Sequence, residues 1–270
     1  MKKVVVTEIN SCRLCGSSRL GSILNLGDIS VTSYFPLSEE VDPPKAPLEM
    51  VICSDCGLIQ LRHSVNQDFL FGNIYGYRTG LNTEMAAHVQ SLAAHLKEFC
   101  GLDETSKVMD IGSNDGTFLN KLAGNSIQLV GVDPNSIDMK EFYSPEITII
   151  PEFYSNKILP GTKFDLITSI AMFYDVEDPI SFAKDIESSL TPEGVWFFEQ
   201  SYAVTMFENN SFDTICHEHL MYYTLRSLNR VLTSANLKII NIKLSSANGG
   251  SIGIYATKIN SQRTSEVNID

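Results

Sequence analysis

The stretch DIGSNDGTFL, Asp110 to Leu119, decides the fold of this chain. An apolar, strand-like run leads into it, and a second such run ends in GVDP, so that Asp133 follows a second strand. Gly112 and Gly116 allow backbone to approach a ligand at a helix N-terminus, while a carboxylate about 20 residues later accepts ribose hydroxyls. This order predicts an α/β domain that holds an adenosine-type cofactor.

The spacing of the glycines distinguishes between two kinds of cofactor. The loop lacks the G-x-G-x-x-G series of dinucleotide-binding domains. DIGSNDG fits better to the looser glycine loop of class I S-adenosylmethionine methyltransferases, and the alternative is a plain β-turn-α connection. We expect Asp110 to orient the loop or to meet the methionine amine. The residues predicted to bind the cofactor are Asp110, Gly112, Ser113, Asn114, Gly116, Asp133 and Pro134.

Four of the six cysteines form two Cys-x-x-Cys pairs, Cys12 with Cys15 and Cys53 with Cys56, each followed by glycine. Such a knuckle turns two thiolates toward one centre, and two knuckles complete a tetrahedral zinc site. Disulfides or free thiols are the alternatives, and disulfides are the weaker explanation in a cytosolic chain. Because four thiolates leave no open coordination position, the predicted zinc is structural.

Apolar runs and turn residues alternate along the chain after this module. They predict strands near 107–111, 127–132, 146–150, 164–169, 194–199, 237–243 and 250–257, and helices near 82–99, 117–123, 179–190 and 225–236. The alternation predicts a doubly wound, mostly parallel sheet with ligands at the carboxyl ends of its strands. The prolines of VDPPKAP, residues 41–47, predict an irregular segment. The predicted domains are a zinc-binding module (1–75), a linking helix region (76–105), the cofactor domain (106–260) and a polar tail (261–270).

Composition limits the classes of partner. A net charge of −12 over 270 residues argues against nucleic acid, because phosphate neutralisation needs a basic face. The apolar run after the two N-terminal lysines is too short for a signal peptide, and no stretch approaches the roughly 18 apolar residues of a membrane span. The sequence therefore predicts a soluble, cytoplasmic protein that binds a small molecule and no membrane.

A second cluster of polar residues lies in FDTICHEHLMYY, Phe212 to Tyr223, here called the HEH segment. On a strand, His217 and His219 would share a face. A metal pair and a hydrogen-bonded structural cluster are two alternatives for this segment. The favoured interpretation is an acid–base site, because the imidazole pKa lies near neutrality and Glu218 could hold or polarise a histidine.

Eight motifs together resemble one family. CRLCG, CSDCG, YGYRTG, DIGSNDGTFL, AMFYDVEDP, FEQSY, DTICHEHLMYY and NGGSIGIY occur in the order found in the zinc-containing sugar-nucleotide C-methyltransferases, which methylate C3 of ketosugars in deoxysugar pathways. The resemblance spans nearly the whole chain. It implies S-adenosylmethionine-dependent methylation of C3 of a nucleotide-linked 4-keto-6-deoxyhexose. The family continues with another domain after the NGG strand, and the chain is expected to lack that domain.

The resemblance also implies roles for individual residues. His219 matches the base that removes the C3 proton, with Glu218 beside it, and Tyr75 or Tyr77 matches the functional tyrosine of the family. A tyrosine hydroxyl from Tyr75, Tyr77 or Tyr222 is the candidate donor to the enolate oxygen. The expected geometry places the His219 imidazole opposite the sulfonium methyl, across a gap that holds the sugar. The residues expected to contact the substrate are Arg78, Tyr174, Glu199, Cys216 and His217.

Several of these residues have an alternative interpretation. Arg78 could form a surface salt bridge instead of binding a phosphate. Glu199 could lie at a solvated strand end instead of facing the cleft. Some family members carry tyrosine in place of Cys216 and histidine in place of Tyr174, which affects the identity of the sugar. For the whole chain, the alternatives are a zinc-finger methyltransferase acting on RNA or protein and a non-catalytic zinc- and cofactor-binding module.

Overall fold

The structure is a computed structural model that describes residues 4–32, 42–72, 75–265 and 267. Two sheets form the N-terminal module. Their strands are β1 (Val6–Glu8), β2 (Leu20–Ser30), β3 (Lys45–Cys53), β4 (Ile59–Leu61) and β5 (His63–Val65). Helices α1 (Gln67–Leu70) and α2 (Thr83–Cys100) lead from the module to the second part of the chain.

The second part alternates strands with helices. Its strands are β6 (Lys107–Ile111), β7 (Gln128–Val132), β8 (Thr148–Ile150), β9 (Phe164–Ile170), β10 (Leu190–Ser201), β11 (Met221–Tyr222), β12 (Leu237–Ser245) and β13 (Ser251–Lys258). Its helices are α3 (Thr117–Leu122), α4 (Pro179–Ser189), α5 (Ala203–Asn209) and α6 (Leu225–Ser234). The predicted strands and helices all occur, and most of their ends differ by one or two residues.

Seven strands form the central sheet in the order β12-β13-β10-β9-β6-β7-β8. The five strands from β10 to β8 are parallel, while β13 is antiparallel to both of its neighbours. The chain moves outward from β6 in both directions, so the strand order reverses between β6 and β9. This topology confirms the predicted doubly wound, mostly parallel sheet, and the reversal places a ligand crevice at its carboxyl edge.

Helix α2 links the module to the sheet and packs on it. The Asn82 side chain accepts hydrogen bonds from the backbone of Glu84 and Met85, and the helix ends at Gly101 with φ 66°. The buried apolar face of α2 lies against the sheet; it comprises Val89, Leu92, Ala93 and Leu96. The helix also covers one side of the crevice.

The strand of the HEH segment belongs to the sheet of the N-terminal module and not to the central sheet. Its strand β11 pairs with β4, so the last strand of the module sheet comes from a segment about 160 residues later in the chain. The Leu61 N–H also donates to the Leu220 carbonyl at 2.9 Å. One continuous apolar core runs from Cys12 and Leu48 in the module to Phe173 and Trp196 under the central sheet. The module is therefore built partly from the segment predicted to do chemistry.

The prediction of an irregular segment at 41–47 was wrong for its last residues. Val41 lies outside the described residues, but Lys45 to Pro47 already belong to β3. Pro47 lies opposite Asp28, next to the point where the register of β2 and β3 shifts. A proline fits a strand at such an irregularity because the ladder bond it cannot donate is already disrupted.

We expect Gly116→Ala to destabilise the protein by about 2–5 kcal/mol in urea denaturation, because it combines left-handed strain with overpacking. Gly116 has φ 74°, and a Cβ there would lie 2.7 Å from the Tyr143 ring. Gly124 is the matched control, since its φ is 77° but its Cβ would meet nothing within 4 Å. Gly124→Ala should cost only about 1–2 kcal/mol. Equal costs for the two variants would contradict the importance of the Tyr143 contact.

None of the helices built from described residues combines the length and the apolarity needed to cross a bilayer.

Candidate active site and metal centre

A cavity of about 390 Å³ opens at the carboxyl ends of β6, β7 and β9. We call it the central cavity. Its wall contains six of the seven residues predicted to bind the cofactor, namely Asp110, Gly112, Ser113, Asn114, Asp133 and Pro134. Gly116 is absent from the described wall, and its missing side chain makes room for Tyr143 instead. The cavity therefore lies at the predicted crevice.

Asp133 ties the glycine loop to the second strand. Its carboxylate accepts hydrogen bonds from the backbone N–H groups of Asn114 (3.0 Å) and Asn135 (2.7 Å). Burial raises the pKa of Asp133, and these two hydrogen bonds oppose the increase. A carboxylate has about four lone-pair sites, so Asp133 keeps capacity for ribose hydroxyls in addition to its loop contacts.

Asp110 has a strongly raised pKa. It is buried at the end of β6, and Thr168 Oγ1 donates to its Oδ1 at 2.6 Å. Burial, with a smaller contribution from Asp133, raises the pKa of Asp110 to about 7. A carboxyl of this kind in a cavity wall suits a cationic group, because a bound ammonium favours the ionised form. The wall thus fits both ends of S-adenosylmethionine, its ribose and its methionine amine.

The YGYRTG motif, Tyr75 to Gly80, lies against the glycine loop. Asn114 Oδ1 accepts from the Thr79 N–H at 2.8 Å, and its Nδ2 donates to the Tyr77 carbonyl at 3.0 Å. Asp115 Oδ2 accepts from the Gly80 N–H at 2.8 Å. Two motifs about 35 residues apart in sequence therefore form one wall of the central cavity, since Tyr75 and Tyr77 both line it.

Tyr143 completes the support of the glycine loop and was missed by sequence reasoning. Its hydroxyl donates to the Asn114 carbonyl at 2.7 Å and lies 2.8 Å from Ser113 Oγ. In the sequence, Tyr143 lies in a segment without strand or helix periodicity, and no local signal marks it. Only the return of the chain after β7 brings its ring under Gly116.

Arg78 contacts two groups of the protein. Its Nε lies 3.6 Å from Asp115 Oδ2, and its guanidinium lies over the Phe142 ring at 4.1 Å from the centroid. The ion-pair alternative therefore has a partner in the structure, although the side chain is partly buried and not at an open surface. Arg78 is not among the described residues that line the central cavity.

Most of the HEH segment is not a strand, although the sequence analysis considered a strand that carries His217 and His219. A 3-10 turn spans Phe212–Thr214, and the strand itself covers only Met221–Tyr222. The His217 ring is buried, and its Nε2–H donates to the Ala46 carbonyl at 3.1 Å. His217 thus holds the module strand β3, and the shared-face argument for His217 and His219 does not apply.

His219 lies one side chain away from the central cavity. Its ring centroid is 4.0 Å from that of Tyr174, and the next residue, Asp175, lines the cavity. The Nδ1–H donates to the Thr214 carbonyl at 2.8 Å, so Nε2 carries the lone pair. Burial lowers the pKa of His219, which keeps the ring neutral at pH 7. His219 is not among the described residues of the cavity wall, so the expected direct approach of its ring to a sulfonium is not seen.

Polar and acidic groups surround His219. Glu218 accepts a hydrogen bond from Thr32, and its charge raises the pKa values of Cys216, Asp175 and Tyr222. Burial is the largest cause of each of these increases. The predicted substrate-contact residues Tyr174 and Cys216 therefore lie, with the candidate enolate donor Tyr222, in one polar cluster behind the cavity, outside its described wall.

Glu199 neither faces the central cavity nor lies at a solvated strand end. It is buried, accepts from the His88 Nε2–H at 2.6 Å, and accepts from Ser245 Oγ at 3.3 Å. Residues alternate along β10, and the position of Glu199 directs it toward α2, which carries His88. The interpretation of Glu199 as a solvated strand end was wrong, because the residue is buried beside a partner about 110 positions away. Its contact with the substrate stays a prediction.

The four paired cysteines form one cluster, with their sulfur atoms within 4.8 Å of one another. Cys12 and Cys56 sulfurs are 3.6 Å apart, and those of Cys15 and Cys53 are 3.5 Å apart, far longer than the roughly 2.05 Å of a disulfide bond. Gly16 and Gly57 follow the two pairs with φ 72° and 74°. The geometry matches a closed Cys₄ zinc centre and excludes the disulfide alternative.

Comparison with known families separates the same two parts of the chain. Residues 85–242, more than half of the chain, match the family model described as "Methyltransferase domain", and residues 12–71 match the one described as "Putative zinc binding domain". The C-methyltransferase NovU of Streptomyces niveus is 28% identical over 260 residues. That alignment covers 93% of this chain and 61% of NovU, so the chain spans about three fifths of the length of this relative.

Other relatives share a smaller region. A tRNA U34 carboxymethyltransferase of Campylobacter jejuni subsp. doylei is 33% identical over 114 residues, which cover 40% of this chain and 39% of that protein. The solved mitomycin 7-O-methyltransferase MmcR superposes with a TM-score of 0.53 at 12% identity, over 66% of this chain and 55% of that chain. An S-adenosylmethionine-dependent methyltransferase from Clostridium acetobutylicum superposes with a TM-score of 0.50 at 12% identity, over 64% of this chain and 92% of that chain.

The fold, the cavity and the cysteine cluster therefore agree with the domain matches. The chain belongs to the methyltransferase domain family, with the class I S-adenosylmethionine-binding fold and a zinc-binding module at its N-terminus.

Proposed function

We propose that the protein transfers a methyl group from S-adenosylmethionine to C3 of a nucleotide-linked 4-keto-6-deoxysugar. The observation that carries this proposal is the wall shared between the central cavity and the HEH segment, where Asp175 lines the cavity and Tyr174 packs on His219. A neutral imidazole next to a cofactor cavity suits removal of a proton from carbon. The likeness to NovU, a C-methyltransferase, supports the same class of reaction.

The reaction needs an acidic C–H and a base. A carbon beside a ketone loses its proton far more readily than an ordinary carbon, because the enolate spreads its charge onto oxygen. His219 Nε2 is the proposed acceptor of that proton, since the hydrogen bond to Thr214 fixes the tautomer and burial keeps the ring neutral. When bound, S-adenosylmethionine supplies an electrophilic methyl group. The acceptor must extend past the described cavity wall, beside Tyr174, to reach this imidazole.

Positioning should contribute much of the rate. Tyr75 and Tyr77 line the central cavity beside Phe71, and the Phe71 and Tyr75 rings meet edge to face at 5.5 Å between centroids. Burial raises the pKa of Tyr75 and Tyr77, so both hydroxyls stay protonated as hydrogen-bond donors. These side chains are proposed to orient the sugar so that its C3 faces the methyl group.

An alternative role on tRNA receives some support from the relatives, but it is the weaker proposal. The tRNA U34 carboxymethyltransferase match covers only 40% of this chain, whereas the NovU match covers 93%. The net charge of −12 also disfavours a phosphate backbone as partner. The HEH segment has no evident task in that chemistry.

The direct test of the proposed function is incubation with a nucleotide-linked 4-keto-6-deoxyhexose in D₂O, with and without S-adenosylmethionine. We expect loss of the C3 proton signal by NMR, and a methylated product by mass spectrometry when S-adenosylmethionine is present. Bulk tRNA, incubated in parallel with labelled S-adenosylmethionine, should incorporate no label. Labelled tRNA together with an unchanged ketosugar would contradict the proposal.

The affinity for S-adenosylmethionine should rise about fivefold between pH 6 and pH 7, because the proposed ammonium contact needs Asp110 ionised and its pKa is about 7. Below that pH the carboxyl is neutral and the contact is weak, whereas above it the carboxylate is fully formed. Calorimetry at several pH values measures the slope, and Asp110→Asn should remove it. A wild-type affinity that is constant over this range would contradict the role of Asp110.

A further inference from the structure

Asp175 lies where the central cavity meets the HEH segment. It ends the 3-10 turn Phe173–Asp175 that follows β9, and it lines the cavity. The neighbouring Tyr174 packs on His219, and the charge of Glu218 raises the pKa of Asp175 in addition to burial. Sequence reasoning gave no role to Asp175, although it occupies the boundary between the cofactor wall and the proposed base.

The backbone of Asp175 is fixed, while one of its carboxyl oxygens has no partner. The Asp175 N–H donates to the Met172 carbonyl at 3.0 Å, and the Asp175 carbonyl accepts from Gln67 Nε2 at 3.3 Å. Its Oδ1 is fully shielded from solvent and has no hydrogen-bond partner among the residues at 4–32, 42–72, 75–265 and 267. Buried polar atoms without a partner are rare and costly. Because Asp175 as a residue is half-buried and lines the cavity, its carboxyl is placed to gain such a partner from a ligand.

The surroundings of this carboxyl favour its neutral form. Burial, and then the charge of Glu218, raise the pKa of Asp175 well above its ordinary value. The other titratable groups that interact with it would also be anions if they ionised, and burial raises the pKa of each; they are Tyr75, Tyr174, Cys216, Tyr222 and Tyr223. The surroundings of Asp175 therefore favour the carboxylic acid, which has a proton to donate, over the carboxylate.

We propose that Asp175 donates a hydrogen bond to the ketone oxygen of the acceptor and stabilises the enolate oxygen during methyl transfer. This inference rests on the proposed function. The C3 proton leaves to His219 Nε2, and the C–H electron pair becomes the enolate. That pair then forms the bond to the methyl carbon, the carbon–sulfur pair stays on sulfur, and the ketone is restored. The Asp175 proton stays on Asp175 throughout, so it acts only through the hydrogen bond.

Two substitutions of Asp175 distinguish a role as hydrogen-bond donor from a role of its charge. Asp175→Ala removes the donor and should lower C3-proton exchange and methyl transfer by about 10²–10³-fold, the range found for removal of one such donor. Asp175→Asn keeps an N–H donor of the same shape, so it should lose much less activity than the alanine variant. S-adenosylhomocysteine binding, measured by calorimetry, should remain in both. Asp138→Asn, which removes an exposed carboxylate outside the described cavity wall, is the matched control.

A second measurement needs no acceptor. In protein labelled with carbon-13 at the aspartate carboxyls, the Asp175 resonance is the one that Asp175→Asn removes. It should show a protonated carboxyl at pH 7, instead of titrating near the ordinary value of 3.8. An ionised Asp175 at pH 7, an alanine variant as active as wild type, or an asparagine variant as inactive as alanine would each overturn the inference. A wild-type protein that leaves the C3 proton of the ketosugar unexchanged would instead refute the proposed function.

Discussion

Removal of zinc is expected to abolish exchange of the acceptor C3 proton while leaving much of the cofactor binding intact. A structural zinc site contributes about 10–16 kcal/mol of binding free energy to folding. Here the stabilised module sheet ends in β11 of the HEH segment, and Gln60 of β4 donates to the Cys12 sulfur at 3.2 Å. Loss of the metal should therefore release His219 from its place. The glycine loop and Asp133 belong to the central sheet and should stay in position.

The experiment compares Cys53→Ser with Cys100→Ser. Cys53 is buried in the zinc cluster, whereas Cys100 lies at the end of α2, outside that cluster. Zinc content, S-adenosylhomocysteine affinity by calorimetry, and C3-proton exchange by NMR are measured for both. Cys53→Ser should lose the metal and the exchange, and Cys100→Ser should keep both. A Cys53→Ser protein without zinc that exchanges at the wild-type rate would contradict the dependence of the site on the module.

Replacement of the proposed base should give the second large effect. His219→Asn should lower C3-proton exchange by about 10²–10⁴-fold, the usual contribution of a positioned general base. Asparagine retains a donor for the Thr214 carbonyl but has no basic lone pair. Cofactor affinity should not change, because His219 lies outside the described wall of the central cavity.

His95→Asn is the matched control for this substitution. His95 is exposed on α2, its ring contacts Phe99 and Tyr255, and it lies outside the described wall of the central cavity. It should exchange the C3 proton at the wild-type rate. Wild-type exchange in His219→Asn would show that another group removes the proton.

The features that depend on local sequence were predicted well. Apolar runs of strand length, separated by turn residues, were enough to identify the strands of the central sheet. The glycine loop and Asp133 follow two adjacent parallel strands, so their carboxyl ends had to meet at one edge. The cysteine knuckles carry their own geometry, because two thiolates three residues apart already point to one centre.

The features that depend on distant contacts were not predicted. Nothing near Glu199 in the sequence identifies His88 as its partner, and a carboxylate at a strand end looks the same whether it faces a cavity or a helix. Strand β11 has only two residues, too few for a periodic pattern, so its pairing with β4 could not be foreseen. Asp175 resembles any loop aspartate in the sequence, and only its burial beside Glu218 distinguishes it.

The most direct test of the central claim is to locate the transferred methyl group. The protein is incubated with S-adenosylmethionine carrying a carbon-13 methyl group and with a nucleotide-linked 4-keto-6-deoxyhexose, and the product is analysed by NMR. We expect a one-bond coupling between the labelled methyl carbon and C3 of the sugar ring. A label bound to oxygen or nitrogen, or a ketosugar returned without any label, would contradict it.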